Sequence, residues 1–185
     1  EKTVKPGVVR EFNKTTGILF SGNDATFQIS DSESLMEFAK LCNEGGFAYS
    51  GAKVTADITF DDETYDWVSV SNFTEGLTFD GGNHTITGLT DALFTKANGT
   101  IKDLTLNSTI AKGVTTKAGY GILANHFHGT INNCKTKGSF AVTSTTQDWT
   151  GVAGLVGWAT GGITFINSTN EAAISVDNAA KRTYI

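Results

Sequence analysis

Apolar residues fall at helical spacing once in this chain and at strand spacing almost everywhere else. Leu35, Phe38, Ala39 and Cys42 follow an i, i+3, i+4, i+7 pattern, with Ser30 and Glu33 placed as a capping box before them and Gly45-Gly46 as a stop after them. This predicts a helix over residues 30–44 whose single apolar stripe has to cover something. Lys53 to Phe60 alternates as a strand, and an acidic loop runs from Asp61 to Asp66. Trp67 to Val70 resumes β character, and Leu77 to Leu89 reads as two alternating segments about the glycine corner Gly81-Gly82. Ahead of the helix, Gly17 to Phe20 and Ala25 to Ile29 read as short strands around a turn, so residues 1–27 are set apart as N-terminal strands with no assigned place.

Beyond Asp91 the alternation becomes a repeat. Ala92-Leu93-Phe94-Thr95, Gly121-Ile122-Leu123-Ala124 and Gly154-Leu155-Val156-Gly157 each lead through a turn into a second shared segment, beginning at Asn98, His128 and Gly162. Aligned on these runs, Leu93 to Ile122 is 29 positions and Ile122 to Leu155 is 33. A period in this range signals stacked units, each burying its apolar face only against its neighbours. The inward residues are expected to be Leu93, Ile101, Leu104 and Leu106, then Ile122, Ile131 and Cys134, then Leu155, Val156 and Phe165. Asn132, Asn133 and Asn167 fall near bends, where amides bond the backbone or stack between coils. The fold class is therefore all-β, a β-helix over residues 28–185, with the helix as its N-terminal cap and repeats over 92–175.

Gly154-Leu155-Val156-Gly157, with the Gly-rich turn and Phe165-Ile166-Asn167-Ser168-Thr169-Asn170 that follow, resembles the GLUG motif of bacterial cell-surface proteins. The helix, the strand Ala56-Asp57-Ile58, Trp67 and Phe79 to Leu89 resemble the segment that precedes such repeats. Together the resemblance spans about residues 28–175. It implies a right-handed parallel β-helix in a secreted or surface-attached protein, often associated with adhesion, and it supplies no catalytic residues. The first repeat departs from the motif by lacking both glycines, and residues 1–27 match nothing in it.

Composition narrows the classes. The net charge is -5, and the only arginines, Arg10 and Arg182, sit at opposite ends of the chain, which argues against a nucleic-acid partner, so none is expected. No apolar run approaches membrane-spanning length. The chain starts at Glu1 without a charged-then-apolar leader and reads as mature or trimmed. Cys42 and Cys134, one on the helix stripe and one in a repeat slot, are expected as two free, buried thiols. No terminal helix follows Ile174, so further coils are expected after Ile185, or else end-to-end self-association at the C-terminal coil.

Candidate chemistry comes from three groups. Asp61, Asp62, Glu63 and Asp66 could bind Ca²⁺ or serve as an acid–base pair on a glycan, although solvated loop acids are the simpler reading. Asp80 and Asp103 are the carboxylates a β-helix hydrolase would use, but the slot of Asp103 becomes Asn133 and Asn167 below it, which is turn chemistry. His126 and His128 form H-x-H without a third ligand, so no metal is assigned. Of the aromatics, Tyr65, Trp67, Tyr120, Phe127, Trp149 and Trp158 could face outward and make a sugar-stacking platform. The binding residues expected are Trp149, Trp158 and Tyr120, with Asp61, Asp62 and Asp66. The function expected is adhesion to a host or environmental glycan or surface protein, with no cofactor. The alternative is a polysaccharide-active enzyme, a lyase or glycoside hydrolase, on the same scaffold.

Overall fold

A computed structural model describes residues 26–60, 64–145, 149–178 and 182–184. The strands Gly17 to Phe20, the acids Asp61, Asp62 and Glu63, and most of residues 1–27 lie outside these. In chain order the elements are β1 (Thr26–Ile29), α1 (Ser32–Asn43), β2 (Gly51–Val54), β3 (Ile58–Thr59), β4 (Thr78–Thr87), β5 (Phe94–Val114), β6 (Ala118–Gly121), β7 (Ala124–Ser144), β8 (Trp149–Ala153), β9 (Val156–Ile166), β10 (Thr169–Asn170), β11 (Ala173–Asn178) and β12 (Arg182–Tyr184). All pairings are parallel, and the chain is a parallel β-solenoid.

Register makes the core a set of columns. Phe27, Ala52, Phe79, Ile101, Ile131 and Phe165 occupy one position on six successive rungs. Outside them run Gln28, Lys53, Asp80, Lys102, Asn132 and Ile166, where Lys102 ion-pairs with Asp80 at 2.8 Å. Alternation along each strand thus sorts apolar residues inward and charges outward, as a one-sided pleat requires. The first five members of the inner column are 0–2% exposed, whereas Phe165 is 49% exposed. Phe165 keeps the inward register expected of it but not the burial, because no described rung of that column lies beyond it.

Parallel β1 and β2 need a crossover, and α1 supplies it. Its stripe, Leu35, Phe38, Ala39 and Cys42, is buried as expected, with the Phe38 ring 5.3 to 6.2 Å from those of Phe27, Phe47, Phe73 and Phe79. The start differs from the expected Ser30 and Glu33. Asp31 is the N-cap, its carboxylate accepts from the Ser34 N–H at 2.8 Å, and the Ser34 hydroxyl accepts from the Asp31 N–H at 3.1 Å. A buried serine fits at that third position where the longer glutamate would not.

The repeats align differently from their short motifs. Phe94 pairs with Ala124 and Ala124 with Val156, so Leu93, Leu123 and Leu155 stack. The motif-based alignment slipped by one residue here, and a one-residue slip turns every side chain to the other face. The second shared segment stacks as expected, Ile101 on Ile131 on Phe165. The two offsets are reconciled by a bulge between Phe127 and Gly129, where two extra residues of β9 are accommodated beside Gly161 (φ 70°).

Corners use side chains that tolerate left-handed backbone. Asn83, Asp103, Asn133 and Asn167 have φ of 46–62° and follow one another down the coils, with the Asn133 amide donating to Asp103 at 2.7 Å. Gly154 and Gly157 are not corner residues, since neither has a positive φ. What they avoid is a clash. A Cβ on Gly157 would overlap the backbone of Gly119 and Tyr120, and one on Gly154 would overlap the Asn170 side chain.

Cys42 and Cys134 are both free and buried. Burial pushes the Cys42 thiol up to about 12, and it raises Cys134 to about 11 against a hydrogen bond from the Leu104 backbone. Both stay neutral in the fold, so the stability linked to them is complete below the ordinary thiol value of 9.0 and is lost as pH rises from there through 11 to 12. An aromatic disulfide reagent at neutral pH should find no reactive thiol in the native chain and two after denaturation. Rapid native labelling of either would contradict the burial.

Candidate functional site

Strands β6, β8 and β9 set up an exposed aromatic cluster. In the smaller sheet Gly119 pairs with Gly151, and β9 crosses so near to β6 that Gly157 lies on Gly119 and Tyr120. Side chains are excluded there, since a Cβ on Gly119 would sit 2.7 Å from that of Trp158. The result is a floor of bare backbone. Trp149 opens β8, and Trp158 is the third residue of β9.

The two indole rings are 4.9 Å apart at 72°, an edge-to-face pair. The His126 ring lies 5.3 Å from Trp158 at 35°, which extends the row by one rung. Trp158 is 41% exposed and Trp149 is half-buried. Trp149, Gly151, Gly157, Trp158 and Ala159 line an open groove of about 300 Å³. Such a groove offers a flat apolar ring face beside main-chain polar groups, which suits a ligand with an apolar face and hydroxyl edges.

Of the residues expected to bind, the structure brings together Trp149 and Trp158. Tyr120 points into the core at 8% exposure, its hydroxyl donating to the Thr116 carbonyl at 3.2 Å, so its ring is not part of the row. Asp66 is exposed but lies three rungs away, on the rim of a separate groove of about 240 Å³ with Met36, Lys40 and Val68. Asp61 and Asp62 are outside the described residues. Trp67 and Phe127 are buried, and the Trp67 indole N–H donates to the Ala92 carbonyl at 2.9 Å.

The carboxylates of the enzyme alternative are tied to cations. Lys102 reaches Asp80 at 2.8 Å and Asp103 at 3.5 Å. Partial burial raises the Asp80 pKa, but the Lys102 ammonium and the Gly82 N–H together outweigh it and hold the carboxyl below its ordinary value. His128 meets the Thr160 carbonyl through Nδ1 at 2.7 Å. No three metal-ligating side chains cluster among the described residues.

His126 was read from the sequence only as half of H-x-H. Its stacking on Trp158 is hidden by the one-residue slip, which places His126 opposite Ala159 instead of Trp158. The true register, with Phe127 on Ala159, brings His126 onto Trp158.

No protein-family model matches the chain, and no curated protein sequence does. Among solved structures, the chain is similar to a crystal structure of a Bacteroides ovatus protein provisionally described as an immunoglobulin A1 protease, with a TM-score of 0.54 and 15% identity. The match covers 87% of this chain and 66% of that one, so this chain spans about two thirds of the length of that structure. At that identity the likeness shows the solenoid fold alone. No helix among the described residues is long and apolar enough to cross a membrane.

Proposed function

We propose that this chain is a binding module of a secreted or cell-surface bacterial protein and that its Trp149–Trp158 row takes a saccharide. The observation that carries this is the pair itself: two indoles 4.9 Å apart, one 41% exposed, over a glycine floor where no side chain intrudes. A pyranose lays its apolar face on an indole with large contact and little loss of rotamer freedom, and its hydroxyls can reach main-chain groups at the edge. The likeness of Gly154-Leu155-Val156-Gly157 to the GLUG motif of surface proteins supports the location and the adhesive role.

The protease description belongs to the Bacteroides ovatus protein, and a third of that chain has no counterpart here. Of the carboxylates a polysaccharide-cleaving reading would use, Asp80 and Asp103 are both engaged by Lys102, and Asp61, Asp62 and Glu63 lie outside the described residues.

A glycan array probed with the full chain should give binding without turnover. Trp158→Ala should weaken the best hit about tenfold, on the order of the 1.4 kcal/mol that such a factor represents, with an unchanged far-UV spectrum. Depolymerisation of the hit, or equal binding by Trp158→Ala, would reject the proposal.

A further inference from the structure

Strand register places Lys96, His126 and Trp158 on three successive rungs of one outward column. Residues at one register position of parallel strands face the same way, as the His126–Trp158 ring contact shows, and the exposure of Lys96 and of Trp158 at 41% sets that side as the outer one. Lys96 is exposed and has no ion-pair partner among the described residues. Lys102, Lys112, Lys135 and Lys137, by contrast, all hold carboxylates.

The stretches that build the face, 94–100, 124–130 and 156–164, contain no Asp or Glu, although the chain as a whole carries a net charge of -5. Their polar residues are one lysine, two histidines, asparagines and threonines. Among these stretches the Lys96 ammonium is the one fixed charge, with no carboxylate beside it in sequence to neutralise it, and it supplies an anchor for an anion. At about 4.8 Å per rung, Lys96 stands about 10 Å from Trp158, within reach of a short oligosaccharide. Between them the His126 ring offers an N–H.

From this geometry we infer that the glycan is acidic: its sugar ring stacks on Trp158 while a carboxylate one or two units along the chain meets Lys96 and His126. This rests on the saccharide reading above. It adds polarity to the site, with an apolar end at the last coil and an anion-binding end two rungs back.

Tryptophan fluorescence of the full chain would be followed in low salt against two acidic probes, a hexuronate oligomer and a sialylated trisaccharide, each beside its own methyl ester. The esters keep the rings and remove the charge. At least one acid form should bind about tenfold more tightly than its ester. Lys96→Gln should erase that difference and leave ester binding unchanged, while Trp158→Ala should weaken both forms. Equal affinity for acid and ester, or a preference that survives Lys96→Gln, overturns the acidic assignment and leaves the saccharide reading standing. Failure of every acid and ester probe overturns the acidic assignment whatever the glycan array shows, whereas an array without any hit overturns the saccharide reading as well.

Discussion

Gly157→Ala should lower stability by about 3 kcal/mol, at the upper end of what overpacking a tight site costs, whereas Gly162→Ala should change it little. Both glycines lie in β9 and neither has a positive φ, so the contrast isolates space from backbone freedom. A Cβ at Gly157 would collide with the Gly119 and Tyr120 main chain, which cannot move without opening β6 from β8. One at Gly162 would meet nothing within 4 Å. Thermal melts of the two variants measure the difference directly. If they match, the close approach of β9 to β6 is not what the glycine serves. Because Trp158 follows Gly157, a separated floor should also move Trp158 away from Trp149 and shift the tryptophan emission.

Phe38→Ala should cost about 3 to 5 kcal/mol, the range for truncating a fully buried aromatic, and the damage should stay local. Phe38 is 0% exposed and packs against four aromatic rings drawn from β1, β4 and the segments between. Most of what it touches belongs to the first rungs. A solenoid transmits stability between nearest neighbours only, so removing the helix stripe should loosen residues 26–60 while β5 and β7 remain paired. Hydrogen exchange by mass spectrometry would resolve this. Loss of protection spread evenly to residues 124–144 would show that the chain folds as one cooperative block.

The architecture was legible because it is written in alternation and period, and both are properties of many residues at once. Inward columns such as Phe79, Ile101 and Ile131 survive any single misreading. The helix was legible for the same reason, and its cap was misplaced by one residue because Ser30 and Asp31 are both good caps and only packing against Ser34 decides between them. What could not be read was exposure. Tyr120, Trp149 and Trp158 are all aromatics near glycines, and the sequence does not say that one faces the core and two face out. Phe165 shows the converse limit, since its register was legible and its burial depended on what lies beyond it. The site itself was half visible: the tryptophans were named, but their histidine neighbour required the true register, which differs from the motif alignment by one residue.

The bulge of β9 beside Gly161 has a consequence for how this surface can change. Above it the coil is in step with its neighbour at Ala159, below it again at Ile163, and the extra residues between are carried outside the ladder. Chain can therefore be added at Gly161-Gly162 without altering which residues enter the core or the pairing of the rungs on either side. The position lies a few residues from Trp158, on the same strand. A lineage of such modules could vary the length and chemistry of that excursion and so remodel the wall of the Trp149–Trp158 groove on an unaltered frame. For the same reason it is the place to graft a loop when a different ligand is wanted.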